Sequence, residues 1–187
     1  MIRFDADTHT YYKEIPSVTR ILREGLFSEK YSGIPDYILE RAAEWGTILH
    51  EAIALENPVM LDEVALTKYN EWLEIKEKYN ITIINAEQIV DYNERYAGTY
   101  DLLCDMSGAT ILISIKTVAK DDKEYNSYQE SYYWMAAESK GTLKIDSAWC
   151  LWLPKRQKAK FYKLERKPNE LLLLTLENYE RKQKNAN

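Results

Sequence analysis

The chain has 187 residues, of which 45% are hydrophobic and 29% charged, and its formal net charge at pH 7 is −5. This length suits one domain that buries roughly two-thirds of the surface its unfolded chain exposes. The composition argues against a disordered protein, and the negative charge excludes attraction of the whole molecule to nucleic acid. Any such binding needs a local basic patch.

One such patch lies near the C-terminal end. Residues 155–167 hold a single acid, Glu165, against seven basic side chains that can contact phosphates: Lys155, Arg156, Lys158, Lys160, Lys163, Arg166 and Lys167. A solvated pair of strands with a turn is an equally open interpretation of this stretch.

The two cysteines and the apolar pattern bear on the cellular setting. Cys104 and Cys150 stand far apart in apolar, strand-like runs, which predicts buried free thiols and no disulfide or cysteine-based zinc site. The N-terminus lacks the apolar stretch of a signal peptide, and no run of about 18 apolar residues is present. We therefore expect a cytoplasmic protein without a membrane segment.

The first part of the chain is predicted to be mainly helical. Residues 2–12 indicate a hairpin around Asp7-Thr8-His9, and Ser17 is a suitable cap for a short helix after Ile15-Pro16. Longer helices are predicted over residues 36–55 and 61–79, where apolar residues recur at three- and four-residue steps.

In the second part of the chain, apolar residues recur with a period of two. Strands are predicted over residues 81–90, 99–105 and 110–116, with turn signals between them, which indicates an antiparallel meander. A helix over 122–139, strands over 145–153 and 159–164, and a helix from Pro168 onward follow. This order predicts one α/β (α+β) domain over residues 1–187, with a central mixed sheet flanked by helices.

Candidate chemistry lies on two neighbouring strands of the meander. In an antiparallel pair of strands, the residue numbers of opposite residues add up to the same value along the pair. If the turn brings Asp105 opposite Thr110, Asp101 therefore lies opposite Ser114. Asp101, Ser114 and Lys116 then share one face, and the apolar residues of the same strand point to the other: Ile111, Ile113 and Ile115.

These residue types can hydrolyse a phosphodiester. Asp101 can bind a hard divalent cation, and Lys116 can orient the attacking water and offset charge on the phosphate. A surface salt bridge between the two strands is the open alternative. Gln129 and Tyr133 project from one face of the following helix, and His50 can offer a ring nitrogen to a metal, although each also suits a structural role.

In this order, these residues resemble the PD-(D/E)XK nucleases, RecB-like branch, especially phage and mitochondrial-type single-domain exonucleases. The resemblance covers the middle two-thirds of the chain, and Ile15-Pro16-Ser17-Val18-Thr19 is similar to such proteins as well. It implies a restriction-endonuclease-like core, DNA as substrate, and Mg²⁺ or Mn²⁺ as cofactor. A phage or prophage origin, and a homo-oligomer or a recombination or replication protein as partner, are further implications by analogy.

The resemblance also assigns roles to individual residues. Lys116 matches the catalytic lysine, and Gln129 and Tyr133 match the Gln-x-x-x-Tyr motif that contacts substrate. The metal ligands it implies are His50, Asp101, the backbone carbonyl of Ile115 and, for a second metal, Glu87. Two cysteines cannot form the four-cysteine clamp of some relatives, so no iron-sulfur cluster is expected.

Ser114 departs from the family pattern, which has an acid two residues before the lysine. A hydroxyl lacks the charge that a carboxylate offers a metal ion, so metal affinity and water activation should both fall, and we expect a nuclease scaffold that Ser114 weakens in this chain. Three explanations stay open: the acid was replaced in an inactivated form, the acid has moved to Glu130 on the following helix, or the protein binds nucleic acid without cutting it. For Glu130, an exposed helix glutamate is the simpler expectation.

Two other functions compete with a nuclease. One is a non-catalytic nucleic-acid-binding module that uses the same cleft and residues 155–167, and the other is a protein-interaction domain rich in aromatic residues. The sequence leaves open exonuclease against endonuclease, strand polarity, single- or double-stranded substrate, and oligomeric state.

Overall fold

The computed structural model describes residues 4–5, 10–11, 15–30 and 33–186. The elements, in chain order, are β1 (Phe4–Asp5), β2 (Thr10–Tyr11), α1 (Val18–Gly25), α2 (Asp36–Ala54), α3 (Glu63–Lys78), β3 (Ile81–Tyr92), β4 (Tyr96–Met106), β5 (Ala109–Lys116), α4 (Lys123–Glu138), β6 (Ser147–Trp152), β7 (Lys160–Lys163) and α5 (Asn169–Ala186). The predicted helices and strands are confirmed, apart from shifts of their ends. The turn of the predicted N-terminal hairpin lies outside the described residues.

The fold is α+β, with a five-stranded mixed sheet in the order β3-β4-β5-β6-β7. Neighbouring strands are antiparallel except β5 and β6, which are parallel. Two parallel neighbours need a crossover connection, and here α4 supplies it. The carboxyl ends of β5 and β6 therefore lie at the same edge of the sheet, where Lys116 pairs with Trp152.

Helices cover both faces of the sheet. On one face, α1, α4 and α5 pack on residues such as Leu103 and Leu112. On the other face, α2 and α3 pack on a second cluster that contains Ile111, Ile113 and Ile115. The predicted facing of the three isoleucines is confirmed, as are the two buried, free cysteines.

Local sequence signals set the ends of several elements. The Ser17 hydroxyl accepts a hydrogen bond from the Arg20 amide at 3.1 Å and caps α1, as predicted. Asp62 and Asp122 cap α3 and α4 in the same way. Among the helices of the described residues, each is too short or too polar to span a bilayer.

The β4–β5 register agrees with the sequence prediction over most of its length. Asp105 pairs with Thr110 and Leu103 with Leu112. The ladder ends at Leu102 and Ile113, one pair short of the expected pairing of Asp101 with Ser114, which stays a prediction. Beyond this end, the Oδ2 atom of Asp101 accepts a hydrogen bond from the Ile115 amide at 2.6 Å.

Candidate metal centre

Three side chains that the sequence singled out as metal ligands converge at one edge of the sheet. His50 on α2, Glu87 on β3 and Asp101 on β4 each place a ligand atom within 4.8 Å of the other two. His50 Nδ1 lies 3.8 Å from Asp101 Oδ1. The Ile115 backbone also lies at this point, since its amide donates to Asp101 and its backbone raises the pKa of the His50 ring. The residues form a cluster of nitrogen and carboxylate donors.

An irregularity in the sheet turns Asp101 into this cluster. Tyr100 and Leu103 both belong to the core under α4, whereas Leu102 belongs to the core under α2. Strict alternation would put Tyr100 and Leu102 on the same face, so the alternation shifts by one residue at Asp101. On the neighbouring strand, Glu87 has a φ of 50°, a left-handed conformation that is rare for a glutamate inside a strand.

The two irregular residues face one another. Ala86 pairs with Leu102 and Gln88 with Tyr100, so the register places Glu87 opposite Asp101. Strained backbone conformations of this kind occur more often at functional sites than elsewhere. The sheet therefore departs from ideal geometry where the two carboxylates meet.

Helix α2 brings His50 to the same point. Leu49 and Ile53 are fully buried and anchor the helix on the sheet. A Cβ at Gly46 would lie 2.9 Å from Thr117 Oγ1, so glycine at this position allows α2 to approach the end of β5. Gly46 lies about one helical turn before His50, so this close approach brings His50 toward the end of β5.

The surroundings of the cluster favour, near neutral pH, protonation states that can bind a metal ion. Burial lowers the pKa of His50, as does Lys116, while Asp101 opposes this shift. A neutral imidazole keeps a lone pair for a metal. Partial burial, and then the charge of Asp101, raise the pKa of Glu87 to about 7, with Lys116 opposing. Glu87 remains exposed at the rim, so its proton exchanges readily with solvent.

Glu130 is the main departure from the sequence expectation. It was expected to be an exposed helix glutamate, but it is 1% exposed, and neither carboxyl oxygen has a hydrogen-bond partner among the described residues. Burial raises its pKa to about 8, Lys116 lowers it and Asp101 raises it. The Glu130 carboxyl group therefore lies close enough to Lys116 and Asp101 to interact with their charges.

Ser114 lies next to Glu130. The serine is fully buried, and its hydroxyl lowers the pKa of the Glu130 carboxyl although the two groups do not reach standard hydrogen-bond geometry. The position where the resembling family has an acid is therefore occupied by a small side chain with a carboxyl from α4 beside it. Asn126 and Tyr133, four residues before and three after Glu130, are buried on the same face of α4.

Gln129 and Tyr133, the candidate substrate-binding residues, are both buried. The Gln129 amide donates to the Tyr133 hydroxyl at 3.1 Å and to Thr19 Oγ1 at 3.4 Å. A Cβ at Gly98 would lie 2.2 Å from a Tyr133 ring carbon, so the ring fills the space that glycine leaves. These contacts tie α4 to α1 and β4, and a direct contact with substrate stays a prediction.

The basic stretch does not form one continuous patch. Residues 155–158 form a loop at the Lys116 edge of the sheet, whereas Lys163 pairs with Trp149 toward the opposite edge. Arg166 stacks on Trp134 at 4.2 Å, and Lys167 forms an ion pair with Glu165 at 2.6 Å. Only the first part of the stretch lies near the candidate centre.

Comparisons with known proteins give little beyond the fold. The chain matches no protein-family model and no curated protein. A similar solved structure is described as "Crystal structure of SSO0001": it is 14% identical, the match covers 89% of this chain and 75% of that chain, and the TM-score is 0.49. At that score the likeness carries no argument about function.

Proposed function

We propose that the chain is a metal-dependent DNA nuclease that hydrolyses phosphodiester bonds, built on a restriction-endonuclease-like core. The observation that carries the proposal is the convergence of His50, Glu87 and Asp101 beside Lys116 at one sheet edge. An antiparallel meander followed by a crossover helix and a parallel strand is consistent with that core. Two buried free cysteines are compatible with a cytoplasmic setting.

The donor set suits Mg²⁺ or Mn²⁺. Hard divalent ions prefer carboxylate and carbonyl oxygens, which Asp101, Glu87 and the Ile115 backbone can supply. His50, Asp101 and the Ile115 carbonyl would hold the ion, with Glu87 at the exposed rim. When bound, the ion supplies Lewis-acid polarisation of the scissile phosphate.

The chain itself supplies positioning and charge. The Ile115 amide fixes Asp101 Oδ2 at 2.6 Å, which holds the carboxylate in one orientation. The ammonium group of Lys116 offsets negative charge that grows on the phosphate and orients the attacking water. Removal of one such preorganised group slows an enzyme by on the order of 10²–10³-fold.

We propose that Glu130 supplies the carboxylate that the resembling family has at the position of Ser114. The Glu130 carboxyl is buried, lacks a hydrogen-bond partner and interacts electrostatically with both Lys116 and Asp101. A nearby cation favours the ionised form of a carboxyl group. Glu130 would therefore ionise when the centre is loaded.

The main test is cleavage of a labelled DNA duplex and of a single strand in Mg²⁺ or Mn²⁺. Asp101→Asn and Lys116→Gln should each lower cleavage by on the order of 10²–10³-fold. Asp105→Asn on the same strand is the matched control and should leave cleavage unchanged, because Asp105 only accepts a turn amide. Wild-type inactivity with both metals on both substrates would refute the proposal.

A carboxylate swap tests the assignment of Glu130. Glu130→Gln should lose cleavage, and the double variant Ser114→Asp with Glu130→Gln should regain part of it, because the acid then stands on the strand. Ser114→Asp alone should give no gain, since two adjacent buried carboxyls repel one another. A gain from Ser114→Asp alone, with full activity in Glu130→Gln, would instead show that the serine replaces a lost acid.

A non-catalytic nucleic-acid-binding module is the second candidate. It is favoured by one observation: with a pKa of about 8, the Glu130 carboxyl is mostly neutral at pH 7 unless a cation binds nearby. DNA binding that weakens steeply with salt, without cleavage at pH 7 or pH 9 in either metal, would select this function.

A further inference from the structure

The loop between β6 and β7 carries three cations that have no ion-pair partner in the described part of the chain. Lys155, Arg156 and Lys158 are all exposed. They line one side of a cleft of about 490 Å³ whose other side is α3. Since the whole chain has a net charge of −5, this positive group is a local feature against a negative background.

A partly buried ion pair on α3 holds this loop in place. Lys68, only 5% exposed, donates to Glu71 at 3.0 Å and to the Gln157 backbone carbonyl at 2.7 Å. Glu71 in turn accepts a hydrogen bond from the Ala159 amide at 2.9 Å. Lys68 and Glu71 neutralise one another, so the charge left on the cleft is that of the three loop cations against Glu63 alone.

The loop is also tied to the candidate metal centre. The Leu153 amide donates to the Lys116 carbonyl at 2.7 Å, and Lys155 follows two residues later, a span of at most about 7 Å. The Lys155 ammonium lies 4.7 Å above the ring of Trp45, which stands on the same helix as His50. The cations are therefore fixed beside the edge where Lys116 ends β5.

We infer that this loop binds the backbone phosphates of a DNA strand next to the scissile phosphate, so that the strand runs from the candidate metal centre across the loop between β6 and β7. The inference rests on the proposed function for the site and adds the path of the strand beside it. Exposed cations that meet the repeating phosphates of a strand favour contacts that are independent of sequence.

The test compares two triple variants that change the net charge equally. One is Lys155→Gln, Arg156→Gln and Lys158→Gln. The control is Lys144→Gln, Arg181→Gln and Lys184→Gln, three exposed cations that lie just before β6, at the opposite sheet edge, or on α5. Affinity for a labelled 20-nucleotide single strand is measured by anisotropy in EDTA between 50 and 200 mM salt, and thermal unfolding checks that both variants fold.

Loss of three phosphate contacts should reduce the slope of log K against log salt by about 2. We expect that reduction in the loop variant and not in the control, with cleavage of a small phosphodiester such as bis-(p-nitrophenyl) phosphate retained by both. Equal reductions, or none, would overturn the inference. Poly-glutamate that competes equally well in a loop-dependent manner would also overturn it, because the loop would then bind any polyanion. Loop-dependent DNA binding by a wild-type chain that cleaves neither substrate would support the loop and refute the hydrolytic function.

Discussion

The substitution Glu130→Gln would remove a buried carboxyl group that titrates and would keep the shape of the side chain. The Glu130 carboxyl is 1% exposed, and its pKa is raised from 4.5 to about 8, chiefly by burial. Between these two values the unfolded chain loses this proton while the folded chain keeps it. The folded state then binds more protons than the unfolded state, so the free energy of unfolding falls as pH rises, by at most about 1.4 kcal/mol per pH unit. Over the whole interval the loss amounts to about 3–5 kcal/mol.

Urea unfolding in EDTA at pH 5 to pH 9 measures this effect. Glu130→Gln does not titrate, so its advantage in unfolding free energy over the wild type should grow by about 3–5 kcal/mol across the range. Glu124→Gln, on the exposed side of the same helix, is the control and should show a constant difference. Parallel curves for wild type and Glu130→Gln would refute the reasoning, because the carboxyl would then be solvated in the folded protein.

Two further predictions follow from the site. As a ligand of the proposed metal ion, Glu87 would have to lose a proton, and burial raises its pKa to about 7. Mn²⁺ affinity should therefore rise nearly tenfold per pH unit below pH 7; titration calorimetry should show this for the wild type and a flatter profile for Glu87→Gln. Gly98→Ala should destabilise the protein by about 1–3 kcal/mol, since its Cβ would clash with the Tyr133 ring. In the control Gly25→Ala, the new Cβ would lie 3.5 Å from Thr175, so the stability should not change. Equal melting temperatures of the two variants would contradict the packing described.

Short-range signals explain the parts of the fold that the sequence predicted well. Ser17 caps α1 because its hydroxyl reaches an amide three residues away, a contact that needs no tertiary structure. The pairing of Leu103 with Leu112 follows from the two-residue turn between their strands, since a turn fixes the register near it. Both predictions use neighbours along the chain.

The parts that were mispredicted depend on contacts between distant elements. The shift of alternation at Asp101 arises where its carboxylate captures the Ile115 amide, which period-two reasoning cannot anticipate. The burial of Glu130 depends on how α4 rotates over the sheet, and a charged residue is a poor guide to the buried face because such residues are mostly exposed. Local propensity therefore predicted where the helices and strands lie along the chain. The packing between them determines which side chains meet at the sheet edge.

The ionisable groups of the centre come from five different elements, and this bears on how the protein folds. His50 lies on α2, Glu87 on β3, Asp101 on β4, Lys116 on β5 and Glu130 on α4. A folding intermediate that contains only the β3–β5 hairpins would lack both helical contributions, and contacts of long sequence separation form slowly. An ion that binds only the native chain raises its stability in proportion to the logarithm of its concentration. The moment at which refolding chains acquire Mn²⁺ affinity should therefore mark completion of the tertiary structure rather than formation of the sheet.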